Sequence, residues 1–415
     1  MRAPRSGRTE IPDQRPDAWL GSALLFALAS FVETLGFGHL GAFTPLYLAQ
    51  FGVPESQVPQ WTGLLTAVSF VLGLPLAPFW GVWADRYSRK LIILRSTVGE
   101  GIIFFLFGIA AAPWQLVPAR VLVGFILGNT GVMYAVLADA APRRHVATAI
   151  AFITAGSTLG VSVGPFIGGW LIPQIGIARL YQADGIVCWT VALLLAIGLH
   201  EHAQGPRSTA STGALLRALP GNLRASPIVL PLFGLYFVAL LGMNMPGPFV
   251  PLLVSETYRG PDLPLAIGAV LLTAGLVSAG SGPILSRLGR AERSWRVLAA
   301  ALVGGSVAAL AQARSPDYVA LLVARGAMGA VQGGLSPLIV SVIALATPSD
   351  RRASVLNLTL FPSNLSFLFG GVVGSVIAAI SVRAVFVASA AVLLLGAALT
   401  AIVSRTAAAV SRAGE

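Results

Sequence analysis

The sequence predicts an all-α membrane protein: twelve transmembrane helices in two pseudo-symmetric six-helix bundles. Three observations carry this. Of 415 residues, 56% are hydrophobic and only 10% charged, whereas soluble domains carry about a quarter charged residues. Twelve apolar stretches recur along the chain, each long enough to cross roughly 30 Å of hydrocarbon. Motifs of the first half return in the same order in the second, offset by 201 to 208 residues.

The spans are expected at 18–49, 58–80, 91–112, 115–138, 147–172, 180–200, 227–254, 264–285, 296–313, 317–345, 354–380 and 382–404. The first is too long, and its start too polar, for a cleaved signal peptide, so it is read as retained. The chain then divides into a tail (1–17), a first bundle (18–200), a polar linker (201–226), a second bundle (227–404) and a second tail (405–415). The linker is rich in Ser, Thr, Ala and Gly and carries Arg207, Arg217 and Arg224.

The net charge of +11 is unevenly placed. Assigning loops to alternate sides puts 21 Lys/Arg on the side of the termini and four (Arg179, Arg259, Arg314, Arg383) on the other, while Arg120 and Arg325 fall inside spans. By the positive-inside rule both termini are expected in the cytoplasm. The basicity therefore reads as membrane topology and not as a nucleic-acid footprint. The single cysteine, Cys188, lies in span six, so no internal disulfide can form.

GVWADRYSRK (81–90) follows span two, and GPILSRLGRA (282–291) follows span eight, 201 positions later. Arg120-x-x-x-Gly124 in span four is answered by Arg325-x-x-x-Gly329 in span ten, 205 positions later. Ala-Pro-Arg-Arg (141–144) is answered by Thr-Pro-Ser-Asp-Arg-Arg (347–352). With the embedded arginine and a glycine run in span five, these motifs resemble the major facilitator superfamily over essentially the whole chain. They are most similar to its twelve-helix drug:proton antiporters. The resemblance implies the major facilitator fold, with a midplane cavity between two lobes that rock to give alternating access.

The family's cytoplasmic motif is matched by Gly81, Asp85, Arg86, Arg89 and Lys90, with Ser88 where glycine is usual. Glycine admits a close helix neighbour, and a carboxylate suits the N-terminal end of a helix. The resemblance makes span eleven, starting near Ala353, the partner of Asp85, and pairs Arg89 with Asp139. These contacts are expected only when the cytoplasmic side is closed, where they would hold the outward-facing state. Solvation of a loop is the plainer reading for the arginines. The second copy has Ser286 in place of the aspartate, so the latch is expected on one half only.

Ionisable groups inside a span are functional candidates by default. Glu33 lies about 22 Å into span one, at 1.5 Å per residue, and Arg120 enters span four from the opposite side. The two are expected at comparable depth, as a proton-coupling pair. Burial and a neighbouring cation act oppositely on a carboxyl, so such a group releases or takes a proton as water access changes. A static buried pair is the alternative. Gly124, Gly128 and Gly131 share a face with Arg120. Arg325 has no equally placed acid in span seven and is a candidate for anionic substrate groups.

Glu100, mid-way along span three, and Asp184, near the outer end of span six, are weaker candidates. His39 reads as an interfacial histidine, Glu256 as solvated, and His200 and His202 as flanking a span end. Asn129, Asn244, Asn357 and Asn364 could contact substrate or tie helices together. With Phe37, Tyr134 and Arg325 they form a loose cavity set, to which Phe26, Tyr236 and Phe249 are still looser additions.

Span five contains GSTLGVSVGPFIGG (156–169), with Gly156, Gly160, Gly164 and Gly168 every fourth residue. Such a stripe allows close helix packing, and Pro165 favours a kink, so a hinge is expected. Gly160, Gly164, Pro165, Gly168 and Gly169 match the antiporter motif of the resembled family, which implies export more than uptake.

No P-loop and no nucleophile–base set occurs, and Lys90 is the one lysine, so ATP hydrolysis and enzymatic chemistry are not expected. No metal-ligand set and no cofactor is expected either. The reading is a monomeric proton-coupled antiporter of small amphipathic molecules in the cytoplasmic membrane. Its partners would be the substrate, protons and lipid. A proton symporter or uniporter for a sugar or organic acid, and a non-transporting receptor or scaffold, are the alternatives.

Overall fold

A computed structural model describes residues 18–76, 88–126, 129–199, 229–288, 294–347, 355 and 359–413. Among them, twelve helices are long and apolar enough to cross a membrane. Spans one to six are Trp19–Gln50, Val58–Leu76, Arg89–Ile109, Pro113–Ala140, Val146–Ile175 and Ile177–Gly198. Spans seven to twelve are Val229–Thr257, Leu263–Leu285, Ser294–Ala313, Tyr318–Ala344, Leu360–Ala378 and Val382–Thr406. Helices are the natural solution here, because a bilayer offers no water to satisfy peptide groups. With an even number of spans both termini leave on one face, here called the termini face, and the opposite is the far face.

Local sequence sets the ends and breaks. Ser88 caps span three, its side chain accepting from Leu91 N at 3.1 Å, so the residue that departs from the family motif starts a helix. Asp317 does the same for span ten through Ala320 N at 2.9 Å. Span seven runs as Val229–Asn244, then a tight turn Gly247–Phe249, then Val250–Thr257. Pro246, Pro248 and Pro251 crowd this break, where three missing backbone donors interrupt the ladder.

Span one packs along span five, span three along span six, span eight along span ten, and span nine along span twelve. Spans two and eleven, and spans five and eight, join the two bundles. The repeated Arg-x-x-x-Gly has a structural counterpart: Gly124 of span four lies against Ser69–Gly73 of span two, and Gly329 of span ten lies against Ala274 of span eight. Gly131 faces open space, so the proposed small-residue face of span four is not one continuous contact; Gly128 lies outside the described residues.

Among the described residues, contacts between the bundles run from the far ends to mid-membrane. Gly63 faces Gly371 and Ser375, Gly169 faces Pro264, Gly268 faces Pro165 and Phe166, and Gly275 faces Ser162. Phe70 of span two stacks on Phe367 of span eleven, with ring centroids 5.0 Å apart. This form is sealed toward the far face.

Candidate functional site

Span one carries Glu33 fourteen residues from Trp19 and seventeen from Gln50, which is near mid-membrane. Its partner is Asn129 of span four, whose Nδ2 donates to Glu33 Oε2 at 3.1 Å. The same Nδ2 donates to Glu100 Oε1 of span three at 3.4 Å. One amide nitrogen therefore serves two carboxyls on two helices. Glu33 is partly exposed, whereas Glu100 is 1% exposed. Two ionised carboxyls this close in a poorly solvated site repel, and one proton held by the pair removes that repulsion. The arrangement is suited to holding a proton on the buried side and exchanging it on the more exposed side.

Arg120 does not join this site. Its Nη2 donates to Thr44 Oγ1 at 3.1 Å and to Leu40 O at 3.4 Å, and its guanidinium lies 5.3 Å from the Phe107 ring centroid. Those partners lie seven and eleven residues beyond Glu33, or about 10 to 16 Å along the helix. The expected Glu33–Arg120 pair is thus not formed. Span one is a helix of 33 residues, longer than the bilayer, so counting inward from its start overestimates the depth of Glu33. Arg120 lies near the far end.

A second buried cluster lies nearer the far face. His39 Nδ1 is 2.8 Å and 3.0 Å from the two carboxyl oxygens of Asp184 on span six, and His39 Nε2 is 2.8 Å from Gly164 O on span five. His39 is 1% exposed and Asp184 6%, so His39 is not interfacial. The pairing was not legible, because nothing local shows that span one touches span six. The available signal was two ionisable residues at similar distances from the far ends of their helices, each needing a partner.

The glycines of span five face their neighbours closely. A Cβ at Gly160 would strike Phe31 O and Thr34 Oγ1, one at Gly164 would lie 2.9 Å from Leu35 O, and one at Gly168 would lie 2.6 Å from His39 Cδ2. Gly169 turns the other way, onto Pro264 of span eight. Pro165 lies inside the helix, which is continuous over Val146–Ile175. One four-residue register thus seats span one, and the next residue meets the other bundle.

At the termini face, Arg89 Nη1 pairs with Asp139 Oδ2, and Lys90 Nζ donates to Ala196 O at 2.7 Å, in the last turn of span six. A cation suits that end of a helix. Gly81, Asp85 and Arg86 lie outside the described residues, as does 348–354, where Asp85's expected partner begins. The Arg89–Asp139 pair joins spans three and four within one bundle and is present in a form sealed at the far face.

The loose cavity set separates. Phe37 packs edge-on to Phe104 with centroids 5.4 Å apart. Tyr134 Oη is 3.3 Å from Thr154 Oγ1, and Asn244 Nδ2 donates to Ser366 Oγ at 2.9 Å, tying span seven to span eleven. Asn364 is half-buried on span eleven, and Asn357 lies outside the described residues. Phe26 and Phe249 are fully buried in the core and offer no surface to a substrate. Tyr236 Oη is 3.1 Å from Ser336 Oγ. Arg325 is 7% exposed, and its Nε and Nη1 have no hydrogen-bond partner among the described residues. Glu256 is not simply solvated: its Oε2 accepts from Arg383 Nε at 3.0 Å.

A family model described as Major Facilitator Superfamily matches residues 26–311 and 232–414. The chain is 26% identical over 389 residues to the multidrug resistance protein MdtG of Citrobacter koseri, covering 93% of this chain and 95% of that protein. It is likewise 26% identical over 388 residues to MdtG of Escherichia coli, covering 92% and 94%. Among solved structures it is similar in fold to a bacterial homolog of the human lysosomal transporter Spinster in an inward-facing and occupied conformation. That match has a TM-score of 0.68, 20% identity, and coverage of 94% and 96%. It is also similar to the human organic anion transporter MFSD10, with a TM-score of 0.67, 18% identity, and coverage of 93% and 100%.

Proposed function

The chain belongs to the major facilitator superfamily, and from that premise we propose that this transporter is a proton-coupled exporter of small amphipathic molecules. It would work as a monomer in the cytoplasmic membrane, with both termini cytoplasmic, as the 21-to-4 division of Lys/Arg between the two sides favours. The observation that carries the coupling is the Glu33–Asn129–Glu100 cluster: two acids on one amide, the first partly exposed and the second buried.

The proposed cycle follows from that geometry. A proton from outside occupies the pair while the far face is open, and rocking of the lobes carries it inward. Loss of the proton to the cytoplasm leaves charge in a poorly solvated site, which favours renewed exposure and substrate capture. Apolar walls would hold the substrate, with a few polar groups orienting it. Export is the direction favoured by the span-five motif and by relatives named multidrug resistance proteins. Asp85 remains the proposed latch of the termini face, with Gly81 giving the close approach.

The test is a panel of lipophilic cations and neutral drugs on the purified chain in liposomes with an imposed pH gradient. Wild type is expected to exchange substrate for protons. Glu33→Gln and Glu100→Gln should each lower gradient-driven transport at least about tenfold, which is about 1.4 kcal/mol, while leaving gradient-free substrate exchange. Proton movement in the same direction as substrate would establish symport instead. Full gradient-driven activity in both variants would remove the carboxyl pair from the mechanism.

A further inference from the structure

We infer that His39 and Asp184 form a second proton site, distinct from the carboxyl pair, whose bound proton holds the far face shut. It rests on the reading of the chain as a proton-coupled transporter, but on different residues.

The argument is one of donors and acceptors. Gly164 O can only accept, so the 2.8 Å contact from His39 Nε2 needs a hydrogen on Nε2. The 2.8 Å contact between His39 Nδ1 and Asp184 Oδ2 needs a second hydrogen, on either the ring or the carboxyl. The described geometry thus contains two exchangeable protons. In either arrangement the unit is neutral overall, as its near-complete burial requires. Removing one proton leaves a single N–H for two acceptors and a net negative charge. Either the Gly164 carbonyl or the carboxylate then faces a ring lone pair. That state is tolerable only once water reaches it.

The groups around the pair do not supply a substitute. Span five contributes only backbone and glycine at this level, and it has no ionisable residue over Val146–Ile175. Span six adds Tyr181 on the side toward Arg120 of span four, and Cys188 on the side toward Glu33 and Glu100. Arg120 is already engaged by Leu40 O and Thr44 Oγ1. Span eight presents no ionisable residue near its far end between Leu263 and Ser286.

The consequence for gating lies in what Gly164 belongs to. Gly168 has to lack a side chain for His39 to fit, and Gly169 and Pro165 lie against span eight of the other bundle. Residues 164–169 are therefore gripped by His39 on one side and form part of the far-face seal on the other. The proton is taken up from far-side water as that face closes and returned to it as that face opens. Acid favours the closed form and alkali the open one.

The experiment uses the full chain in lipid nanodiscs, with spin labels at Glu55→Cys and Asp262→Cys. Both sites are exposed on the far face in opposite bundles. In wild type, alkaline buffer is expected to raise the far-open population ratio at least fivefold over acidic buffer. His39→Gln and, independently, Asp184→Asn should each at least halve that response. The Glu33→Gln, Glu100→Gln variant should keep a response that His39→Gln then removes. A full response in folded His39→Gln or Asp184→Asn overturns the second site and leaves the carboxyl pair standing. No response in wild type likewise overturns the second site, while the carboxyl pair is judged by the transport assay. Should the variants fail to fold, the 15N signals of His39, with His145, His200 and His202 replaced by Gln, decide: ring signals identical in acid and alkali overturn the proposal.

Discussion

Asn129 is the residue on which two helices depend. Its amide donates to both Glu33 and Glu100, so truncating it strands one buried and one partly exposed acceptor, at a cost of about 1–3 kcal/mol. Asn129→Leu is expected to lower the thermal midpoint of the purified protein. In a Glu33→Gln, Glu100→Gln background, whose amides can donate for themselves, the loss should shrink by at least about 0.5 kcal/mol. Additive losses would show that the three side chains do not act as a unit. The sequence made each of these residues visible as a polar group in an apolar run, but not their grouping. Charge and an apparently equal depth, counted from the helix start, pair Glu33 with Arg120 in the sequence. The partner was fixed instead by depth, which a helix longer than the bilayer conceals, and by facing direction, which requires knowing the neighbours.

Span five shows what one helix contributes. Its glycines repeat every fourth residue and so line up on one face, and that face lies on span one from Ala27 to Phe43. Gly160→Val would drive a branched side chain into Phe31 O and Thr34 Oγ1, costing about 1–3 kcal/mol by overpacking. We expect lower thermal stability and loss of transport. Gly131→Ala is the control, since its Cβ would meet nothing within 4 Å. There the change should be neutral or stabilising by up to about 1 kcal/mol. Equal damage from both would mean that the stripe is not a packing surface. Elements were the most legible level: the expected span three, 91–112, is observed as Arg89–Ile109, and the expected span nine, 296–313, as Ser294–Ala313. Hydropathy reports burial in lipid directly, because every span must supply its own length of apolar surface. Less legible was what ended each helix. The cap at Ser88 and the break after Asn244 depend on backbone geometry, which hydropathy does not carry.

The whole molecule moves only if each face can be sealed and opened at modest cost. On the far face the seal is glycine against backbone: Gly63 on Gly371 and Ser375, Gly169 on Pro264, Gly268 on Pro165 and Phe166. Close packing of this kind is steric and has no slack, so a side chain at Gly63 must push spans two and eleven apart. Gly63→Leu is therefore expected to raise the far-open population at least fivefold, about 1 kcal/mol. Asp85→Asn, at the proposed latch on the termini face, should move the balance the other way by a similar factor, because it weakens closure of the opposite end. The two positions are expected at opposite ends of the spans, far enough apart for their free energies to add. Combined, they should return the ratio of the two forms close to that of wild type. The spin-label pair at Glu55→Cys and Asp262→Cys reads this ratio directly. A double variant as far-open as Gly63→Leu alone would mean that Asp85 carries no weight in the balance between forms, leaving the charge around Arg89 and Lys90 with only its structural contacts to Asp139 and Ala196.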